Sequence, residues 1–129
     1  MGALKPDKLR VLVLDEDVEL ATVIKSQIAA LGYPTEHETC PAKSIRYILD
    51  QKFDLLLSEY HMKGLDGFQV AQILRTMGSM APVILHTAVT ADFCADDLAH
   101  VGILGVIPKS LGNREFIRVF LNLASLGAN

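Results

Sequence analysis

Unbroken apolar runs of a few residues constrain this chain most. Val11-Leu12-Val13-Leu14, Leu55-Leu56-Leu57 and Val83-Ile84-Leu85 contain no polar residue. A strand that alternates apolar and polar side chains leaves one face to water, whereas a strand apolar at every position must be covered on both. Between these runs lie segments with apolar residues at helical spacing, such as Leu20, Ile24, Ile28 and Leu31. Strands alternating with helices in this way build βα units on a parallel sheet, with helices packed on both faces.

The punctuation predicts five strands and five helices. Strand one is expected over 10–14. Helix one starts near Asp17, a favourable N-cap, and stops at Gly32 in the C′ position. Strand two, 35–39, is polar enough for a sheet edge. Pro41 opens helix two, with Ala42, Ile45, Ile48 and Leu49 expected to face inward. Strand three is 55–58, and helix three runs over 68–77. Strand four starts at Pro82, where a strand tolerates proline. Helix four is expected over 91–100, strand five over 104–107 and helix five over 114–125. A chain of 129 residues is then a single domain, 1–129, with its core at about 9–125.

Composition narrows the function classes. A net charge of −3 provides no basic footprint for nucleic acid. No apolar run is long enough to cross a bilayer. The opening Met1-Gly2-Ala3-Leu4-Lys5-Pro6 lacks a signal-peptide core, and Pro6 breaks the myristoylation pattern, so a cytoplasmic location is expected. Cys40 and Cys94 lack metal-like spacing and read as reduced, buried thiols. His37, His86 and His100 share no zinc-like spacing either.

Chemistry gathers at the carboxyl ends of the strands, where open α/β sheets place their sites. Strand one runs into Asp15-Glu16-Asp17, strand three into Glu59, strand four into Thr87-Ala88 and strand five into Lys109. Singly, each has an ordinary explanation: an acid after a strand is often a helix cap, and a threonine or lysine there is common. Together they would bring carboxylates from adjacent strands into mutual repulsion unless a cation or the lysine neutralises them. A hard divalent ion with oxygen ligands suits such a cluster.

In that order and in those strand contexts, the residues resemble the receiver domain of two-component response regulators over nearly the whole chain, about residues 9–124. The resemblance implies a flavodoxin-like, doubly wound five-stranded parallel sheet in the order 2-1-3-4-5. It implies Glu59 at the phosphoacceptor position, since Asp66-Gly67 lies at the family's usual distance beyond it. Glu16 then stands for a direct Mg²⁺ ligand, Asp15 for a water-mediated one, and His61 for the residue whose main-chain carbonyl coordinates the metal. Thr87 matches the switch hydroxyl and Lys109 the lysine that grips the phosphoryl group. The implied partners are signalling proteins, a sensor kinase or an output domain, with a homodimer through the face made by helix four, strand five and helix five. No DNA-reading segment follows Ser125, so output is expected from a separate partner or domain.

The chain departs from the family pattern at four positions. Glu59 replaces the acceptor aspartate, Lys63 replaces a loop proline, Val106 takes the place of the aromatic switch residue, and Ser110 follows Lys109 where proline is usual. The extra methylene of Glu59 carries its carboxylate about 1.3 to 1.5 Å further along the side chain. Misplacement of about 1 Å can cost in-line attack on the order of a hundredfold. The same extension moves negative charge toward Lys109, into the space a phosphoryl group would fill. The expected module signals by protein contact without ordinary phosphorylation, binds Mg²⁺ weakly, and imitates the phosphorylated state in part, because a carboxylate has one charge against nearly two for phosphate. Two readings stay open beside it. One is a small Mg²⁺-dependent phosphohydrolase, which would need an aspartate nucleophile and usually a second acid where this chain has His61. The other is a degenerate structural or interaction domain.

Overall fold

The all-apolar strands are indeed covered on both faces. The computed structural model describes residues 9–88 and 93–127. In chain order the elements are β1 (Val11–Leu14), α1 (Val18–Ala30), β2 (Thr35–Glu38), α2 (Pro41–Leu49), β3 (Leu55–Glu59), α3 (Gly67–Thr76), β4 (Val83–Thr87), α4 (Ala95–His100), β5 (Ile103–Pro108) and α5 (Asn113–Gly127). All strand pairs are parallel, in the order β2-β1-β3-β4-β5. Successive side chains on a strand point to opposite faces, so each strand feeds two cores. Val11, Val13, Leu55, Leu57, Ile84 and Ile107 pack with Ile24 and Ile28 of α1 and Phe116 and Phe120 of α5. Leu12, Leu14, Leu56, Val83 and Leu85 pack on the other face with Ile48 of α2, Val70 and Leu74 of α3 and Leu98 of α4. Fully burying a side chain such as Leu14 or Phe120 is worth about 1.5 to 3 kcal/mol.

Local chemistry sets the ends of the elements. Asp17 caps α1 by accepting the Leu20 N–H, and Gly32, at φ 98°, ends that helix with its N–H on the Ala29 carbonyl. Pro41 occupies the first turn of α2. Asp66 and Gln69 form a reciprocal capping box at the start of α3, which moves that start to Gly67. The Gly67 position also needs its missing Cβ, since one there would lie 2.6 Å from the Glu59 carbonyl oxygen and 2.7 Å from Leu85 Cδ2.

Several expectations are corrected. Ala42 is exposed and Ser44 is buried: Ser44 and Ile48 are four residues apart on the inner face of α2, with Ile45 and Leu49 only half-buried beside them. Strand β2 ends at Glu38 because its carboxylate takes the Thr39 and Cys40 N–H groups at 2.9 Å each. Strand β1 begins at Val11, one residue late. Strand β4 begins at Val83, while the Pro82 carbonyl accepts the Leu56 N–H. Helix α4 starts only at Ala95, since Cys94 is extended (φ −77°, ψ 120°); residues 91 and 92 of the expected helix lie outside the described residues. Strand β5 runs one residue further at each end, and Pro108 sits exposed on the sheet edge as expected. The cysteines are not buried: Cys40 is partly exposed and Cys94 is exposed.

Candidate functional site

The sheet reverses its strand order between β1 and β3, and the crevice at that switch is where such sheets place their sites. Asp15 follows β1 and Glu59 ends β3, on the two sides of the switch. Thr87 ends β4 and Lys109 follows β5, which reach across from the far side of the sheet. The Lys109 N–H donates to the Thr87 carbonyl at 2.8 Å, tying the ends of β4 and β5 together. The fold therefore brings Asp15, Glu59, Thr87 and Lys109 into one cluster.

Lys109 lies at its centre. Its ammonium is 2.9 Å from Asp15 Oδ2 and bridges to Glu59 Oε1. All three side chains are largely withdrawn from water, with Asp15 at 4% and Glu59 at 9% exposure. The other Glu59 oxygen, Oε2, accepts the Tyr60 N–H at 2.5 Å and the His61 N–H at 3.0 Å. The Thr87 hydroxyl also hydrogen-bonds the Glu59 side chain. Lys109, Thr87 and two main-chain N–H groups thus supply four donors to one carboxylate, which has about four lone-pair sites. It is close to saturated.

The ionisation states follow from this arrangement. Burial pushes the Glu59 carboxyl up, but the bonds from Lys109, His61 and Thr87 together outweigh it and hold the group below its ordinary 4.5. Burial pushes Lys109 down, but its bonds to Glu59 and Asp15 win and hold it above 10.5. Glutamate and lysine are both charged across the physiological range. His86, paired in register with Glu59 and 5.2 Å from the Phe116 ring, is pushed down to about 4, first by burial and then by the Lys109 charge, against smaller opposing effects of Asp15 and Glu59. It is neutral at pH 7.

Glu16 lies apart from this core. Its side chain is exposed, and Oε2 accepts the Lys63 N–H at 3.0 Å, which ties the loop after β3 to the loop after β1. Asp15 Oδ1 accepts the Asp17 N–H at 2.9 Å. The His61 side chain is exposed, and its N–H is committed to Glu59. Among the described residues, no group of three His, Cys, Asp or Glu side chains is arranged to hold a metal ion. In this arrangement the ammonium of Lys109 stands between Asp15 and Glu59 and balances their charge where a divalent ion would otherwise do so.

Sequence reasoning found the side chains of this cluster but missed its main-chain donors. The N–H groups of Tyr60 and His61 are aimed at Glu59 by the turn after β3, and that turn is held by the Gly67 N–H on the Tyr60 carbonyl at 2.7 Å. The signal was the Asp66-Gly67 step, where only glycine lets α3 start so close to the end of β3.

The family model of the response regulator receiver domain matches residues 11–120. Sensor protein EvgS of Escherichia coli (strain K12) is 30% identical over 78 residues, 60% of this chain and 6% of that protein. Transcriptional regulatory protein ZraR of the same strain is 24% identical over 105 residues, 81% of this chain and 24% of that protein. The chain thus spans only a small part of the length of either relative. Among solved structures, the chemotaxis response regulator CheY4 of Vibrio cholerae aligns with a TM-score of 0.79 at 17% identity, covering 90% of this chain and 98% of that one.

Proposed function

This chain belongs to the response regulator receiver domain family, and we propose that it works in two-component signalling without being phosphorylated at Glu59. Receiver domains are typically signalling modules rather than enzymes, they interact with sensor kinases and output domains, and they generally bind Mg²⁺ at the phosphorylation site. The observation that carries the proposal is the saturated Glu59 carboxylate. In-line attack needs an oxygen lone pair free to meet an incoming phosphorus. Here Lys109, Thr87, Tyr60 and His61 engage the carboxylate. The Glu59 to Lys109 bridge puts a negative group where the family's phosphoryl group meets its lysine, so the resting protein resembles the phosphorylated state in part.

Residues 1–129 act as one receiver unit, in the cytoplasm. Glu59, Thr87 and Lys109 form the signalling site, with Asp15 and Glu16 flanking it. Mg²⁺ entering beside Asp15, Glu16, Glu59 and the His61 carbonyl must first displace Lys109, so its binding is weak. Output passes by protein contact, with the α4–β5–α5 face as the homodimer or partner surface. A phosphohydrolase has less support, because its nucleophile would face the same four donors, and the chain is not assigned a reaction.

Intact-mass measurement after incubation with acetyl phosphate and Mg²⁺ tests the proposal. The natural protein should gain no phosphoryl mass, whereas Glu59→Asp, whose shorter side chain withdraws from Lys109, should gain some. A stoichiometric adduct mapped to Glu59 overturns it.

A further inference from the structure

The opposite end of the sheet carries features that the Glu59 cluster does not use. Among the described residues six large apolar side chains are exposed, and three of them, Met77 at 61%, Met80 at 76% and Leu126 at 58%, lie at this amino end of the strands. A groove of about 390 Å³ opens there, lined by Met80, Pro82, Leu104 and Leu126, with Arg75 and Gly102 on its wall. It adjoins a second cleft of about 490 Å³ through Met80, Pro82 and Gly127. Clustered exposed apolar residues mark interaction surfaces, and methionine-rich ones adapt to varied partners.

Arg75 gives this groove its chemistry. Among the described residues it is the one charged residue in the lining of the smaller groove. Arg10, Lys25, Lys109 and Arg118 each pair with a carboxylate, but among the described residues no carboxylate lies within ion-pair distance of Arg75. Its Nη1 donates to the Ser79 carbonyl at 2.9 Å and approaches Met80 Sδ at 3.2 Å. The guanidinium also packs against Gly102, where a Cβ would lie 2.1 Å from Nη2 and 2.6 Å from Cζ. The fold thus holds the fork in place while Nε and Nη2 keep no partner among the described residues. A guanidinium of this kind matches a carboxylate by geometry as well as charge.

We propose that this groove docks an acidic amphipathic segment of a partner protein, with an Asp or Glu of the segment on Arg75 and its apolar residues between Met80 and Leu126. Charge complementarity selects that occupant: an apolar wall with a single immobilised cation favours an apolar segment carrying a carboxylate over a purely apolar or basic one. The site is remote from Glu59 and is independent of how that residue signals.

The test uses the full chain and a fluorescein-labelled amphipathic peptide of about twelve residues, built from Leu and Glu, against the same peptide with Gln replacing Glu. Fluorescence anisotropy should show the Glu peptide binding at least about tenfold more tightly, as expected for a charge-assisted bidentate pair. Amide shifts in a ¹⁵N-labelled sample should centre on Gly102 and Leu126. Arg75→Met should abolish the preference. Because that change also removes the bond to Ser79, Met80→Glu serves as the second variant: it places a carboxylate beside the Arg75 fork at an exposed position and should weaken the Glu peptide by a similar factor. Equal binding of the two peptides, shifts that map elsewhere, or affinity unchanged by Met80→Glu overturns the proposal. So does sedimentation showing that this face instead joins two copies of the chain.

Discussion

Replacing Lys109 by methionine removes the one ammonium that two buried carboxylates share. Asp15 and Glu59 would keep their main-chain and hydroxyl donors but lose their counter-charge. Breaking a buried ion pair from one side typically costs about 3 to 5 kcal/mol, and the surviving donors favour the lower end, about 3 kcal/mol. For a domain of this size, that corresponds to a melting temperature lower by about 10 °C at pH 7. The pH dependence sharpens the test. In the natural protein Glu59 titrates below its ordinary 4.5, so its stabilising contribution is present above pH 4.5 and is lost as pH falls through the folded value. Lys109 titrates above 10.5, so its contribution is present below pH 10.5 and is lost as pH rises through the folded value. Without Lys109, burial and the like charge of Asp15 drive Glu59 the other way, above 4.5. The deficit of Lys109→Met is then largest near neutrality and shrinks as pH falls toward 4.5, where protonation relieves the buried charge. Circular dichroism melts at a series of pH values, in EDTA, measure both effects. A variant melting within about 2 °C of the natural protein at pH 7, with a parallel pH profile, would mean that Lys109 does not balance the two buried carboxylates.

Gly67→Ala drives a methyl group against the Glu59 carbonyl and Leu85. It should lower stability by about 1 to 3 kcal/mol, read as a lower urea midpoint. An unchanged midpoint would mean that the start of α3 shifts freely. His86 is neutral when folded, with its pKa at about 4 against an ordinary 6.5. Its contribution is complete above pH 6.5 and is lost as pH falls toward 4, by up to about 3 kcal/mol. His86→Gln should flatten that part of the stability profile, and an NMR titration of the natural protein showing the ring protonating near 6.5 would contradict the burial argument.

The parts of this fold written in short-range chemistry could be read from the chain. Asp17, Gly32 and Pro41 mark helix ends by their own backbone or hydrogen-bonding preferences, and each does so here. The all-apolar strands announced a covered parallel sheet. The strand order 2-1-3-4-5 came only from the family resemblance, because periodicity does not say which strands are neighbours. Ala42 was expected inward but lies two residues, more than half a helical turn, from Ser44, which shares the buried face with Ile48; two small side chains gave no signal of which one would be covered. The start of α4 was invisible for a similar reason: Cys94 takes an extended backbone conformation that no residue type there requires. At the site, residue types located Asp15, Glu59, Thr87 and Lys109, but nothing in them revealed that Tyr60 and His61 would turn their N–H groups onto Glu59. That detail belongs to a backbone turn, and it decides how many lone pairs the carboxylate has left. Arg75 was equally silent, since only the fold shows that no carboxylate among the described residues comes within ion-pair distance of it.

The proposed role of Glu59 on Lys109 is to imitate a phosphorylated acceptor. Amide spectra of the natural protein and of Glu59→Asp, the latter with and without Mg²⁺ and beryllofluoride as a phosphoryl mimic, test it most directly. The shifts of Thr87, Ala88, Val106 and Lys109 in the natural protein should lie nearer those of the beryllofluoride-bound variant. Shifts that coincide with the free variant, and move away from those of the beryllofluoride form, would contradict it.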